Sequence, residues 1–549
     1  MVAPPREIAR VLESALQDDH ERLAVVARSG GLTYTQLDGC ANRWARALRA
    51  EGVGKGDRVA ACLPNDLDIV AAFHGAMRLG AVWVGINEAL APPEKAYMLR
   101  HSEAKVLVCE AATALQLETQ GETGLRHLRI QIVAGDGSNE WRTALAAQDS
   151  EPLGLRVDQF APAGIAYTSG TTGFPKGVVH SQWNLLLPGA YLNATRQYGV
   201  DLRKGDCFPL TILNMMVLTT LLTSQAKGLA VIMDKVSSHA VTEWVRREAV
   251  TVWNGPPPLL YTLAHDDSVD AADLRSLTEV WSGGADCPES IRDAFEAKFG
   301  IEVRGTYGLT EAPTMVAIET PNAEHVPGAS GVPMPHLAVT IRDANGGLLD
   351  AEQTGEICIA AHPSAEVRHR LTDDWGVPVS ADLDLPVYRP MLGYWNQPQE
   401  SAAALDGGFL RTGDVGMLRR SGELVVSDRI SLVLNRGGAN VYPAEIERIV
   451  IGLPHVDGCG VFGVPDDRLG ERVALLVEFS PGQDHDLPAV LEHCRSELAS
   501  YKVPELVAAV DVLPRNAMGK LDRRELTKIG RSLVSDEAPN RRVSAAQAS

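Results

Sequence analysis

Tyr167-Thr168-Ser169-Gly170-Thr171-Thr172-Gly173-Phe174-Pro175-Lys176-Gly177 is the stretch on which the reading of this chain turns. It gathers hydroxyls, glycines and one lysine into a loop suited to gripping phosphate. Glycines let the backbone approach a ligand and take up positive φ. The consecutive N–H groups of such a turn form a concave nest for anions, and the hydroxyls add donors. The pattern comes close to G-x-x-x-x-G-K-[ST], but Pro175 stands before the lysine and Gly177 after it. The hydroxyl lost at Gly177 is the one that would hold magnesium in that loop. Taken alone, the same residues also fit a flexible polar surface turn, and the rest of the chain must decide between the two.

Four segments downstream decide it. They are Gly305-Thr306-Tyr307-Gly308-Leu309-Thr310-Glu311, Arg411-Thr412-Gly413-Asp414, Ser427-Asp428-Arg429 and Pro514-Arg515-Asn516-Ala517-Met518-Gly519-Lys520. In this order and at these distances the five segments resemble the adenylate-forming superfamily of acyl- and aryl-CoA synthetases, peptide-synthetase adenylation domains and luciferases. The bacterial-type fatty and other acyl-CoA synthetases are the nearest kind. The resemblance runs from about Leu32-Thr33-Tyr34 to Leu526. Each motif is moderately specific; five in sequence are highly so.

A chain of 549 residues exceeds what one hydrophobic core usually serves, so two or more domains are expected. With 45% hydrophobic and 22% charged residues its composition is that of an ordinary soluble globular protein. A formal charge of −19 argues against nucleic acid or an anionic membrane surface as the main partner. Lys176, Arg429 and Lys520 would therefore attract anionic ligands against an unfavourable global field. The cysteines at 40, 62, 109, 207, 287, 358, 459 and 494 form no CxxC or Cys/His cluster. That pattern predicts reduced, mostly buried thiols, no zinc site and a cytoplasmic setting. The N-terminal MVAPPREIARVLESAL has no apolar core of signal-peptide length. Residues 215–233 are apolar but interrupted by Gln225 and Lys227, which predicts a buried helix followed by a strand over 228–233 rather than a membrane span.

From about 22 to 430, β-rich runs such as 57–63, 105–109 and 250–254 alternate with helical patterns, which predicts parallel α/β layers. Ala41, Trp44, Ala45, Leu48 and Arg49 recur at helical spacing and read as core. Residues 343–430 turn to Gly-punctuated strands such as 355–359, which suggests a small β subdomain. Pro443 opens a helix. The expected fold class is multidomain α/β. A large N-terminal domain (1–429) combines two α/β layered subdomains with a small β subdomain. It is hinged to a small α+β C-terminal domain (430–532), and the polar residues 533–549 read as a disordered tail.

The resemblance implies a two-step reaction using ATP, Mg2+ and coenzyme A. The carboxylate of an acid attacks the α-phosphorus of ATP, pyrophosphate leaves, and a thiol then displaces AMP. Positive charge is needed where oxygens and phosphates crowd together. Lys520 matches the adenylation lysine that bridges carboxylate and α-phosphate, Glu311 the magnesium-associated carboxylate, and Thr310 a phosphate-contacting hydroxyl. Thr168, Ser169, Gly170, Thr171, Thr172, Gly173 and Lys176 form the expected phosphate loop. Tyr307 is expected to offer its ring face to adenine, with Gly308 beside it, and Asp414 to accept the ribose hydroxyls. Arg429 is expected to reach ribose or phosphate. Gly283, Gly284 and Ala285 match a small-residue segment on which adenosine lies. Gly437, Gly438 and Ala439 match a loop that lines the pantetheine tunnel once the small domain rotates, although a plain glycine turn between strand and helix also fits them.

Three departures qualify the match. Ser431 stands at the hinge where the family generally has Asp or Lys, though a hinge need not be charged. Ile212 aligns with a histidine found near the carboxylate in many relatives. The segment 361–390 is longer than in many relatives, and some acyl-AMP ligases carry an insertion nearby that impedes rotation. No acidic residue lies between Cys207 and Met233, which argues against an α-amino acid, whose buried ammonium would need a partner. Ile212, Met215 and Trp281 predict an apolar acyl pocket for a fatty, alicyclic or aromatic acid, with methionine making its wall adaptable. The partners implied are such an acid and CoA, or an acyl carrier protein acting in trans. A homodimer is compatible with the resemblance. An acyl-AMP ligase, a luciferase-like oxygenase and a non-catalytic nucleotide- or acyl-binding relative are the competing readings. Retention of Lys176, Glu311 and Lys520 together argues against the last.

Overall fold

The computed structural model describes residues 6–118, 128–135, 138–168, 175–283, 287–321, 323–362, 364–373, 388, 390–429, 432–436, 439–466, 470–483, 485–498, 500–515, 521–534 and 542–543. Its largest element is a nine-stranded sheet. In spatial order the strands are Val332–Pro333, Ala317–Ile318, Val303–Tyr307, Glu279–Gly283, Val252–Asn254, Arg203–Asp206, Leu229–Ile232, Leu23–Ala27 and Gly30–Thr33. The six strands from Val303–Tyr307 to Leu23–Ala27 run parallel, and the outer ones are antiparallel. Parallel sheets need helices on both faces, and their strands read as apolar runs. Leu229–Ile232 and Val252–Asn254 obey that rule; Arg203–Asp206, reading R-K-G-D, does not, yet it occupies the centre of the sheet.

A second, seven-stranded sheet carries Lys176–Ser181 next to its edge, between Gly393–Tyr394 and Pro162–Thr168. The hairpin of Pro162–Thr168 and Lys176–Ser181 pairs Thr168 with Lys176, so the two ends of the phosphate-loop motif face each other across an antiparallel ladder. Residues 169–174 between them lie outside the described residues. The strands expected over 57–63 and 105–109 are Arg58–Cys62 and Val106–Glu110, and they are neighbours. The helix Tyr34–Ala50 packs against the helix Leu67–Arg78 and is opened by a capping box in which Gln36 N donates to Thr33 Oγ1 and Thr33 N to Gln36 Oε1. Ala41, Trp44, Ala45 and Leu48 are buried as expected, whereas Arg49, read as core, is exposed. Position 49 falls on the edge of the apolar stripe, where a long charged side chain reaches water.

The helix expected within 215–233 starts earlier, at Leu213, and is not regular. It passes through a π-helical turn at Val217–Leu221 before Leu222–Ala226, and the strand Leu229–Ile232 follows. The small β subdomain is a four-stranded antiparallel sheet of Leu337–Arg342, Gly355–Ala361, Leu410–Leu418 and Leu424–Arg429. Most of 361–390 lies outside the described residues; the helix Ser364–Asp373 falls within it. A separate six-stranded mixed sheet gathers the strands after Leu434 around apolar clusters of its own, and Pro443 stands at the first position of the helix Pro443–Ile451. In the 533–549 tail, expected to lack structure, Leu533 and Val534 end the helix Arg523–Val534, and Arg542–Val543 pairs parallel with Ala509 and Val510. Among the described residues no helix is long and apolar enough to cross a membrane. Two α/β sheets, a small β sheet and a distinct α+β unit make up the layered architecture expected.

Candidate functional site

Parallel sheets offer ligands the carboxyl ends of their strands. Glu279–Gly283 and Val303–Tyr307 end side by side, with Gly283 opposite Thr306. A Cβ on Gly283 would overlap the Thr306 hydroxyl, which donates to the Ser282 carbonyl at 3.1 Å. Gly284 and Ala285 follow outside the described residues. After Tyr307 the chain turns tightly, and a Cβ on Gly308 would overlap the Thr314 carbonyl. Position 308 is glycine because the backbone of the loop folds back onto it.

Tyr307 is 8% exposed and packs in an apolar cluster with Leu309, Ala312 and Met315. Its hydroxyl donates to Asp414 Oδ2 at 2.6 Å, and Arg429 Nε lies 3.0 Å from Asp414 Oδ1. The ladder sets this triad: Asp414 and Arg429 are cross-strand partners, and a left-handed Gly413 (φ 70°) turns the strand just before the aspartate. Thr412 Oγ1 accepts from Asp414 N at 3.0 Å and donates to the Ile357 carbonyl at 2.7 Å. Burial, reinforced by the Asp414 charge, pushes the Tyr307 phenol far above its ordinary value, so the phenol keeps its proton and remains the donor.

Three motifs separate in sequence meet at a second point. Lys176 Nζ lies 5.1 Å from the centroid of the Tyr394 ring, and the Tyr394 hydroxyl donates to Glu311 Oε1 at 3.0 Å. Tyr394 thus connects the phosphate-loop lysine to the carboxylate of the Tyr307–Glu311 turn. It is held by strand pairing with Val178 and by Ser401 Oγ, which accepts from its N–H at 2.8 Å. Burial and the adjoining Glu311 keep the phenol protonated. The base of the phosphate loop is clamped as well. Tyr97 donates to the Pro175 carbonyl at 3.2 Å, and Trp395 N donates to the Gly177 carbonyl at 2.7 Å. His180, on the same strand as Lys176, is fully buried, and its Nε2 lies 2.6 Å from the Thr310 carbonyl. Burial lowers its pKa to about 4, so the ring is neutral at ordinary pH and donates one N–H to that carbonyl. Sequence reading assigned no role to Tyr394 or His180. The signal was available in the position of His180 four residues after Lys176, on a strand leading out of the loop.

The acyl residues meet an unexpected neighbour. Ile212 caps the helix Leu213–Met216 and Met215 lies half-buried on it. Met215 Sδ is 4.0 Å from Asn254 Nδ2, and Trp281, 2% exposed, has Lys204 Nζ 5.1 Å from its ring centroid. Lys204 and Asp206 are both wholly buried and lie 3.3 Å apart. The surroundings of Met215 and Trp281, expected to be apolar, therefore include an ion pair, and Asp206 sits one residue before the acid-free stretch. It was missed because a charged R-K-G-D run does not read as a central strand.

Among the remaining expected residues, Thr168 lies at the end of its strand and Thr310 and Glu311 are half-buried in the turn. Ala439 pairs with Arg436 in an antiparallel ladder, and Gly437 and Gly438 lie outside the described residues. Ser431 and Lys520 are also outside the described residues.

Two α/β sheets meeting around these motifs, with a further α+β unit, define an adenylate-forming ligase. The sequence profile of the AMP-binding enzymes matches residues 12–365, and that of the AMP-binding enzyme C-terminal domain matches residues 445–520. The chain belongs to the AMP-binding enzyme family and, within it, to the acyl- and aryl-CoA ligases. It is 31% identical over 506 residues to the long-chain-fatty-acid–CoA ligase FadD13 of Mycobacterium tuberculosis, covering 89% of this chain and 91% of that one. It is 30% identical over 511 residues to the fatty acid–[acyl-carrier-protein] ligase ScoC of Streptomyces coeruleorubidus, covering 92% of each. ATP-bound MatB of Rhodopseudomonas palustris has the same fold, with a TM-score of 0.85 at 25% identity over 96% of this chain and 99% of that one.

Proposed function

We propose that the protein is an ATP-dependent acyl-CoA synthetase that activates a carboxylic acid with a largely apolar skeleton and passes the acyl group to coenzyme A. The observation that carries this reading is the convergence of Lys176, Tyr394 and Glu311, which puts a cation and a carboxylate from distant motifs around one tyrosine, the cation over its ring and the carboxylate on its hydroxyl. A site for a polyphosphate and its counter-ion needs that pairing, whereas a simple acyl binder does not. Glu311, a half-buried oxygen donor, fits a hard divalent cation. Magnesium, when bound there, would supply positive charge shared between the phosphates.

The substrate carboxylate oxygen forms a bond to the α-phosphorus as the bond to pyrophosphate breaks, giving an acyl-adenylate. The thiol then adds to the acyl carbonyl, AMP departs with the bonding pair, and the thiol proton passes to solvent. In this reading Lys520 stabilises the charge that develops in the first step. Residues 169–173 and Lys176 hold the phosphates, Tyr307, Asp414 and Arg429 hold the adenosine, and Gly283, Gly284 and Ala285 lie beneath it. The domain boundary falls at 429/430. Rotation about Ser431 exchanges Lys520 for the Gly437-Gly438-Ala439 segment, whose glycines would leave room for a pantetheine arm. Gly438→Trp would then block thioester formation and leave adenylation largely intact; unchanged acyl-CoA formation in that variant would remove the tunnel assignment.

Similarity to ScoC favours a second reading, in which the acceptor is the pantetheine of a carrier protein. Mass-spectrometric product analysis with ATP, magnesium and a panel of acids, with and without CoA, separates the two. Acyl-CoA formed when CoA is present supports the synthetase. Acyl-AMP that persists despite CoA supports the carrier-loading ligase, and no product from any acid overturns both.

A further inference from the structure

The ion pair beneath Met215 and Trp281 has a lopsided partner set. Asp206 Oδ2 takes three donors: Lys204 Nζ at 3.3 Å, Thr219 Oγ1 at 3.0 Å and Asn254 Nδ2. Asp206 Oδ1, equally buried, has no hydrogen-bond partner. A buried carboxylate oxygen with nothing to accept is costly, and each such atom in a native protein calls for a reason. Fold stability does not supply one. Replacing a buried ion pair by apolar residues is often neutral or stabilising, and the neighbouring strands set Ala230 and Val252 beside Lys204 and Ile232 beside Asp206.

Two independent features mark the place as a ligand site. Asp206 is the last residue of a central parallel strand, at the carboxyl edge where such sheets bind ligands, and Val252–Asn254 alone separates that strand from the one that delivers Trp281 and Gly283. Thr219 reaches Asp206 from the π-helical turn Val217–Leu221, a local distortion that costs helix regularity and recurs at functional sites. Met215, beside Asn254 and half-buried, is the flexible side chain that would move to admit a ligand.

From this geometry we infer that the Lys204–Asp206 pair forms the distal end of the acyl pocket, and that the acid the protein activates carries a hydroxyl remote from its carboxylate, which donates to Asp206 Oδ1. The inference rests on the acid-activating reading above. The group bound must be a donor, because the free atom is a carboxylate oxygen. It must be neutral, because Lys204 already balances Asp206 and a substrate ammonium would be set against the lysine. Burial pulls the Lys204 pKa down while Asp206 resists that shift, as befits a cation kept only for its partner. A hydroxylated aliphatic, alicyclic or aromatic acid satisfies these conditions; an unsubstituted fatty acid or an α-amino acid does not.

The test uses acids in matched pairs, identical but for a distal hydroxyl, with pyrophosphate release measured so that the acceptor does not matter. The wild-type protein should prefer the hydroxylated member of at least one skeleton by about 10–100-fold in kcat/KM. The charge-balanced Lys204→Met/Asp206→Leu variant should lose or reverse that preference. Asp206→Asn, which keeps the shape and can present an N–H₂ where Oδ1 stood, should shift it toward the matching ketone. Circular dichroism and thermal unfolding identify a variant that fails to fold, in which case the wild-type and Asp206→Asn preferences decide. Equal rates for both members of every pair would overturn the hydroxyl assignment while leaving the ligase reading intact. An unchanged preference in folded variants would do the same. No pyrophosphate from any acid would overturn the ligase reading and this inference with it.

Discussion

The proposed nucleotide edge and the proposed acyl floor are built on opposite principles. At the proposed nucleotide edge, polar side chains from distant motifs find partners in one another: Tyr307 with Asp414, Asp414 with Arg429, Tyr394 with Glu311. Glycines such as Gly308 admit backbone where no side chain fits. At the acyl floor, three donors crowd one oxygen of Asp206 and the other has none. The first arrangement is nearly complete before a ligand arrives, and a mutation there removes a working pair. The second is incomplete, and a mutation there changes which ligand completes it. The nucleotide edge should therefore control rate and ATP affinity, and the acyl floor should control choice.

The largest effect expected is at Lys520, proposed above as the lysine of adenylation. Lys520→Ala should lower adenylation by at least about 10²–10³-fold, the scale for removing one preorganised charge from a transition state. Thioester formation from preformed acyl-AMP should be spared. Pyrophosphate exchange and acyl-AMP consumption measured on the same preparation test this. Equal loss in both half-reactions would refute the division of labour. Next comes Asp414→Asn, which removes the carboxylate charge facing Arg429 and weakens the Tyr307 contact. The Michaelis constant for ATP should rise about 10–100-fold, as befits loss of a charged partner at a buried group. The ratio between competing acids should not change. A changed ratio would break the proposed separation of rate from choice.

Acid should also act on the nucleotide edge. His180 titrates near 4 in the folded protein and about 6.5 when unfolded. Its contribution is intact above pH 6.5 and is lost as pH falls toward 4, because in that window only the unfolded state takes the proton. The slope is about 1.4 kcal/mol per pH unit for each such histidine. His74, fully buried beside Arg78 and lowered to about 3, adds a second group of the same sign. Denaturant unfolding across pH 4–7 should show stability falling with acid, and His180→Asn should flatten the curve by the share of one proton. A slope identical to wild type would remove His180 from this account.

How much of this was legible follows from the same contrast. The proposed nucleotide edge could be read because its motifs are short runs whose spacing matters: T-S-G-T-T-G, Y-G-L-T-E and R-T-G-D each keep their residues adjacent in sequence. Gly308 and Gly413 stand there for backbone reasons that a sequence shows directly. The layered α/β architecture was readable for a similar reason, since V-W-N and L-A-V-I look like the buried strands they are. R-K-G-D does not. Its burial comes from its neighbours in the sheet, 20 to 50 residues away, and its two charges satisfy each other in a geometry that no local pattern encodes. The π-turn that aims Thr219 at Asp206 is likewise a product of packing, since V-L-T-T-L fits a regular helix equally well. Arg49 shows the opposite error, in which periodicity assigned to the core a residue whose length carries it into water.

The smallest effect expected is the most informative about how the nucleotide edge is tied together. Tyr394→Phe removes one hydroxyl and keeps the ring that faces Lys176, so the cation–π contact survives while the bond to Glu311 is lost. A single hydrogen bond to a charged group is worth about 1.5–3 kcal/mol, less here because half-buried Glu311 can turn to water. A fall of about 5–20-fold in adenylation is expected, together with a higher magnesium requirement, because the carboxylate loses the contact that fixes its direction. Adding magnesium should restore part of the rate. If Tyr394 only packed against the sheet, the variant would change thermal stability without changing the magnesium dependence. If it orients Glu311, the magnesium dependence shifts while stability holds. A titration of adenylation rate against magnesium, run beside a thermal unfolding curve, distinguishes a contact that merely joins two motifs from one that makes them work together.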